Sequence, residues 1–410
     1  MLTIASDTKG VDSVYYHVQA NLVAHGRGFL DPFLFHGKHL ASALHPPAWT
    51  VFLAGASLLG LTSYADHRAV GALTGATAVL LVGILGTRLA GSRVGCIAAI
   101  VAALNPVLIA IDGSLMSESL YGVFVLLAVL AALGVWYHPS AWRCVLLGSL
   151  VALAALTRSD SLALIVLLAA PAVWLAGGTL GTRALRFGLV VLACLVVLAP
   201  WTIRNAETFG HFVPLSTNDG SLLAGANCDA VYSGADIGLW DFFCAAVPVE
   251  HTRGNEAERS VIQRDAAFEY MGDHLDQLPV VAGVRVLRTF GLWSPRTDID
   301  EGVPPGFSDV GVVFHWVTVP LLVAGVVVGL RRRVPLWPFA SIALLVVGMS
   351  AFGWGITRFR QAFELVGCVL VALAVDWVVV RVRRDRTPDG GHEDDGPRRS
   401  VGQAVENVVE

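Results

Sequence analysis

Lysine is nearly missing from this chain. Lys9 and Lys38 are the only two in 410 residues, and arginine supplies the rest of the 28 basic side chains. Charge of either sign is thin: charged residues make up 15% of the sequence and hydrophobic ones 55%, with a mean hydropathy of +0.65. Soluble domains carry about a quarter charged residues, so lipid is the expected solvent. The length would allow two or three soluble domains, but the apolar runs overrule that. The lysine deficit reads as genome composition first and chemistry second. A formal net charge of −4 argues neither for nor against nucleic acid, and no nucleic-acid partner is expected.

Cysteine is also scarce, with six residues. Cys96, Cys144, Cys194 and Cys368 lie inside apolar runs and read as small core residues. Cys228 and Cys244 lie in a long polar stretch. They are two free thiols or, if that stretch faces an oxidising compartment, a disulfide pair.

What the chain has in abundance is apolar runs. A helix needs about 20 apolar residues to cross the hydrocarbon core. Nine candidate crossings stand at 68–88, 94–111, 118–136, 143–157, 161–177, 186–201, 311–330, 335–352 and 361–380. Short cytoplasmic loops collect Lys and Arg. Here Arg88 and Arg93, Arg143, Arg183 and Arg186, Arg331 to Arg333, and the arginines from Arg381 onward all fall on one side of those nine crossings. The remaining loops are then extracytoplasmic. The expected organisation is a first outer loop (1–67), a transmembrane core of six spans (68–201), an extracytoplasmic loop region (202–310), three C-terminal spans (311–380) and a cytoplasmic tail (381–410). The tail is polar, Gly/Pro-rich and mixed in charge, and is expected to be disordered.

The run 46–60 is apolar but short, and opens on His45-Pro46-Pro47, a helix-entry signal. Counting it as a crossing would place the arginine clusters outside, so it reads as a juxtamembrane or re-entrant helix. Nothing ahead of the first outer loop carries it across the bilayer. An upstream helix is therefore expected, giving ten spans and a cytoplasmic N-terminus. Gly71 and Gly75 form a G-x-x-x-G, which predicts close helix packing.

Ionisable residues at membrane depth are functional candidates by default. Away from the basic loops they gather at outer helix ends: Asp12, Asp112 and Glu118, Arg158 and Asp160, Arg204 and Asn205, then Arg358 and Arg360. The segment around Asp12 reads as a helix with Val14, Val18, Leu22 and Val23 on one face. Each candidate also has a simpler reading. Ser117 caps the helix that starts at Glu118, Arg158 and Asp160 pair with each other, and arginines at helix ends reach lipid phosphate. The set says more than any member, because acids and arginines from five separate loops share one face. That is the pattern of a cleft at a membrane surface.

These residues stand in segments that resemble the GT-C superfamily of membrane glycosyltransferases, and within it the bacterial branch related to protein O-mannosyltransferases and lipid A aminoarabinose transferases. The segments are VDSVYYHVQANLVAHGRGF, HPPAW, RLAGSRVGCIAAIVAALNP with the following MSESL, LTRSDSL, PWTIRNAETFGHFVPLSTNDG and TRFRQAFE, covering about residues 12–364. The resemblance implies an all-α polytopic bundle with outer juxtamembrane helices. It also implies transfer of a hexosyl or pentosyl unit from a polyprenyl-phosphate donor, on the extracytoplasmic face of the plasma membrane, with inversion. The acceptor would be a hydroxyl of a cell-envelope glycan, lipid or protein. Asp12 takes the place of the family's first-loop base. Arg358 and Arg360 match its R-Y-R-like motif, with Phe359 in the middle, and would hold the donor phosphate; Arg204 and His45 are further phosphate candidates. Glu118 matches an acidic position of the second outer loop. With Asp112, Arg158, Asp160 and Asn205 it would bind sugar or acceptor.

Asp12 is followed by Ser13, where many relatives carry a second acid. A divalent cation stays open as an alternative but has no paired-acid first loop to support it, and no cofactor or metal ligand is assigned. The acidic run Asp298, Asp300, Glu301 could bind a cation, but a solvated loop is the simpler reading. Arg285 and Arg288, with Val284, Val286, Leu287 and Phe290, predict an interfacial amphipathic helix. The competing function is a transporter or lipid-linked-sugar flippase. Transporters place polar groups near the bilayer midplane, and these spans hold almost no charge there. A non-catalytic scaffold would leave the one-sided cluster unmotivated.

Overall fold

A chain in lipid satisfies its backbone by forming helices, and every apolar run found in the sequence is helical. The computed structural model describes residues 11–33, 39–252, 254–295 and 307–386. Two short helices lead, α1 (Val11–Ala24) and α2 (Ala48–Leu58). They are followed by α3 (Tyr64–Ala90), α4 (Ser92–Leu104), α5 (Pro106–Gly113), α6 (Glu118–Tyr137) and α7 (Ala141–Ala155). The segment Ser159–Leu175 opens as a 3-10 turn, passes through a π turn and closes as α8 (Ala170–Leu175). Pro171 lacks an N–H, and the π turn before it absorbs the break in the hydrogen-bond ladder. The long α9 (Leu180–Phe209) leads to α10 (Asn218–Ala226), α11 (Phe242–Ala246), α12 (Glu256–Asp273) and α13 (Leu278–Thr289). The chain then runs through α14 (Phe307–Arg331), α15 (Trp337–Phe352) and α16 (Gln361–Arg386). The described residues contain no β-strand, only an isolated bridge between Leu30 and Ala41.

The protein is an all-α, multi-pass membrane protein. Among the described residues, five helices are long and apolar enough to span, or six with α4 and α5 counted as one bent span. Ala141–Ala155, Ser159–Leu175 and Trp337–Phe352 are shorter apolar helices, as is Ala48–Leu58. The expected count of nine crossings therefore exceeds the helices of spanning length. The run 94–111 is broken: α4 and α5 meet at 59°. Pro106 cannot continue the ladder, and the Asn105 side chain caps α5 by accepting from the Val107 amide at 3.0 Å.

The last helix threads the middle of the bundle and buries Leu365, Val366, Val369 and Leu373. Small residues set the spacing. A Cβ at Gly325 of α14 would lie 1.9 Å from the Leu370 carbonyl oxygen, and one at Gly148 of α7 would lie 2.1 Å from that of Val190. Gly71 and Gly75 do serve close packing, but against the end of α5: a Cβ at Gly75 would meet the Asp112 carboxylate at 2.0 Å. At the other end of α16, the buried Asp376 takes Arg93 at 2.6 Å and Arg332 at 2.7 Å, tying α4, α14 and α16 together.

The helix expected around Asp12 is present, and two other local expectations are corrected. The buried residues of α1 are Ser13, Tyr15, Tyr16, Gln19 and Ala20, while Val14, Val18, Leu22 and Val23 are half-exposed, Val23 packing at the edge of the same cluster. Ser117 has helical backbone angles and makes no side-chain cap; its hydroxyl engages the Tyr16 phenol instead. Arg285 and Arg288 are not interfacial, being 1% and 0% exposed. Arg285 donates to Asn227 Oδ1 at 3.0 Å and to the carbonyls of Ala226 and Ala351; Arg288 donates to the carbonyls of Ile237, at 2.6 Å, and Ala235. A guanidinium with five N–H donors is well suited to gather loop carbonyls. Cys228 and Cys244 are joined by a disulfide in the same region. The helix at the C-terminal end runs past position 380 to Arg386; the rest of the tail, and Asp298, Asp300 and Glu301, lie outside the described residues.

Candidate active site

Three of the candidate carboxylates sit in the first turn of a helical segment, where the backbone N–H groups favour negative charge. They are Asp12 in α1, Glu118 in α6 and Asp160 in the 3-10 turn after α7. These three starts converge. Glu118 Oε1 takes Arg158 Nη1 at 2.7 Å and Arg358 Nε at 3.1 Å. Arg158 Nε reaches Asp160 Oδ1 at 3.3 Å. Arg358 Nη2 lies 3.7 Å from Asp12 Oδ2, and His45 Nε2 lies 3.7 Å from Asp12 Oδ1. Six of the sequence candidates thus form one connected ionic cluster built from five stretches of chain.

Within the cluster the members differ in access. The Glu118 side chain is 3% exposed and that of Arg358 15%, but the Asp12 side chain keeps 32%. Glu118 is a buried bridge that keeps two like charges close. Phe359 adds to this, with its ring 4.8 Å from the Arg158 guanidinium and 5.6 Å from that of Arg358. Asp12 is the most exposed of the three acids, ahead of Asp160. Burial works to raise its pKa, but His45, Arg358 and Arg158 outweigh that and hold the carboxyl well below the usual carboxylate range. Burial works against the Arg158 cation, and Asp160 and Glu118 more than restore it.

Arg360 parts company with Arg358. In the 3-10 turn Thr357–Arg360 the two side chains leave on different sides. Arg360 donates to Glu364 Oε1 at 2.6 Å and to the Thr289 carbonyl at 3.2 Å. It stands at the polar end of an otherwise apolar cavity of about 230 Å³ between α4, α14 and α16, where Asn105, His315 and Glu364 also stand. Asn105 Nδ2 donates to Glu364 Oε2 at 2.9 Å, and His315 Nδ1 lies 3.7 Å from that carboxylate. Arg358 and Arg360 thus face different partners, and Glu364 is the acid paired with Arg360.

Three other candidates are also placed elsewhere. Arg204 spans the carbonyls of Ser42 at 2.9 Å and Phe29 at 3.0 Å, so it staples the first loop to α9. Asn205 is fully buried and donates to the Val213 carbonyl at 3.1 Å. Asp112 is buried against the α3 glycines and has no ion pair with the cluster among the described residues. Glu364, Asn105 and His315 were not singled out in the sequence. The i, i+4 spacing from Arg360 to Glu364 and the Asn-Pro break inside an apolar run were the available signals. Among the described residues no three His, Cys, Asp or Glu side chains gather as a metal site.

This architecture is shared with known proteins. It matches the oligosaccharyltransferase AglB of Archaeoglobus fulgidus, solved with an inhibitory peptide and a dolichol-phosphate, at a TM-score of 0.55 and 14% identity, over 94% of this chain and 49% of that one. The Archaeoglobus fulgidus enzyme tethered to an acceptor peptide with the NVT sequon matches at 0.53 and 16% identity, over 93% and 48%. The fold is shared with that oligosaccharyltransferase. At such identities the likeness is one of fold, and this chain spans about half the length of those structures. ArnT of Cupriavidus metallidurans, bound to undecaprenyl phosphate, aligns over 95% of this chain and 78% of its own, at a TM-score of 0.44 and 14% identity. No protein-family model and no curated protein matches the sequence. In this bundle the ionic cluster stands where α1, α6 and the turn before α16 begin.

Proposed function

We propose that the protein transfers a sugar from a polyprenyl-phosphate carrier to an acceptor hydroxyl, at the extracytoplasmic face of the plasma membrane and with inversion. The observation that carries this reading is the meeting of Asp12 and Arg358, from opposite ends of the chain, at 3.7 Å. Asp12 Oδ removes the proton of the acceptor hydroxyl as that oxygen bonds to the anomeric carbon. The bond from that carbon to the carrier phosphate breaks, and its electron pair leaves with the phosphate. Arg358 meets the charge that develops there, and the opposite approach of acceptor and leaving group inverts the centre. The apolar cavity between α4, α14 and α16 suits the first isoprene units of the carrier, with the phosphate turned toward Arg358.

The depressed pKa of Asp12 makes it a weak base in the empty site. A donor phosphate that draws Arg358 away and brings its own negative charge raises the affinity of Asp12 for a proton. The base therefore strengthens when the donor is in place. Hexosyl and pentosyl donors, and glycan, lipid and protein acceptors of the cell envelope, all remain within this reading. The test is incubation of membranes holding the wild-type or Asp12→Asn protein with a panel of labelled polyprenyl-phosphate sugars. Label should move to an acceptor with the wild type and not with the variant. Passage of intact labelled lipid across vesicles, without loss of the sugar, would instead establish a flippase.

A further inference from the structure

A chain of buried side chains outside the ionic cluster has only one consistent hydrogen-bond direction. Thr50 Oγ1 donates to Gln19 Oε1 at 2.9 Å. Gln19 Nε2 donates to the Tyr15 hydroxyl at 2.8 Å and to the Leu30 carbonyl at 3.1 Å. The Tyr15 hydroxyl meets Ser42 Oγ at 2.6 Å, and Ser42 Oγ donates to Glu256 Oε1 at 3.0 Å. Since Ser42 spends its proton on Glu256, Tyr15 is the donor in their pair. The other Glu256 oxygen accepts the Ala43 amide at 2.6 Å. Thr50, Gln19, Tyr15 and Ser42 are each no more than 2% exposed, so water does not substitute for a lost partner.

The chain ends beside the site. Ser42 begins the turn that carries His45, whose ring packs edge-on to Tyr15 at 5.0 Å and against Tyr16 at 4.8 Å. The same turn is held by the Thr217 amide on the Ala43 carbonyl at 2.9 Å and by Arg204 on the Ser42 carbonyl. We infer that Glu256, the first residue of α12, is a positioning residue that orients His45 and Asp12 from the extramembrane helical layer, through Ser42 and Tyr15. This rests on the transferase reading only for its catalytic consequence. The charged and titratable groups facing Glu256 are Tyr15 from α1, Asp31 from the first loop and Arg204 from α9. Burial lifts its carboxyl above the ordinary value, against the pull of the Ala43 amide and the Ser42 hydroxyl.

Glu256→Gln is the decisive variant, because it keeps the volume but places an N–H₂ where a carboxylate oxygen must accept. Satisfying that amide requires Ser42, Tyr15 and Gln19 to reverse, which costs the bond from Gln19 to Leu30. Two readouts apply to the full-length protein in nanodiscs. The first needs no substrate: acylation of His45 by diethyl pyrocarbonate, followed by mass spectrometry, should speed up severalfold in Glu256→Gln and in Tyr15→Phe. It should stay unchanged in Glu258→Gln, which loosens the same helix end at the Asn255 cap and the pairing with His211, away from Ser42 and Tyr15. The second is transfer: kcat falls roughly ten- to a hundredfold with donor KM little changed, as expected for misplaced reacting groups. Tyr15→Phe combined with Glu256→Gln should be no worse than the poorer single variant, because both break one chain. The acid limb that Glu256 contributes to kcat should disappear in Glu256→Gln. Unchanged His45 reactivity, or additive losses in the double variant, overturns the inference. A wild type that reacts normally at His45 but transfers no sugar overturns the transferase reading instead.

Discussion

At the scale of single residues, Asp12 and Arg358 carry the testable chemistry. Replacing Asp12 by Asn keeps shape and removes the proton acceptor. Transfer should fall by about 10²–10⁴-fold while the protein accumulates normally, which a radiolabel assay beside a membrane immunoblot will report. The acidity of Asp12 has a sign that can be checked. Its folded pKa is depressed, so the ionised form persists below the ordinary aspartate value of about 3.9 and is lost only as pH falls through the lower folded value. With Glu256→Gln as background, the acid limb left in the free enzyme's kcat/KM should therefore lie below that ordinary position; Arg358→Ala should move it upward. A limb at the ordinary position would remove Asp12 from the base role. Arg158 works differently. Deleting it leaves Glu118, 2% exposed, with one partner fewer. The expected loss is about 3–5 kcal/mol of stability, seen as a lowered melting temperature in detergent.

At the scale of elements, contacts between helices depend on missing side chains. Gly325→Ala directs a methyl at the Leu370 carbonyl and Gly148→Ala one at Val190. Backbone cannot yield as a flexible side chain can, so both variants should melt earlier or fail to accumulate, whereas Gly188→Ala, which meets nothing within 4 Å, should behave as wild type. The disulfide between Cys228 and Cys244 closes a loop with a separation of 16 residues, and such a loop is worth about 3 kcal/mol. Non-reduced peptide mapping should join the two cysteines; both alkylated as free thiols would refute the link. The helices themselves were legible from apolar runs, proline and arginine, because lipid leaves a hydrophobic chain few alternatives. Which face of a short helix turns inward was not. Tyr15 and Gln19 on α1, like Arg285 and Arg288 on α13, are buried by long-range hydrogen bonds that no local pattern records.

At the scale of the whole molecule, the candidate site was half legible. The gathering of Asp12, His45, Glu118, Arg158, Asp160 and Arg358 follows from their shared position at helix ends on one side of the bundle. The parting of Arg360, Arg204 and Asn205 from that group does not, because each is claimed by a partner far away in sequence: Glu364 with Thr289, Ser42 with Phe29, and Val213. The turn Thr357–Arg360 is consequently a partition, with the ionic cluster on one side and the greasy chamber on the other. A donor seated across it needs an oily end and an anionic end. Water-soluble nucleotide sugars offer nothing to the chamber, so they should be rejected at this wall even when they carry the right sugar.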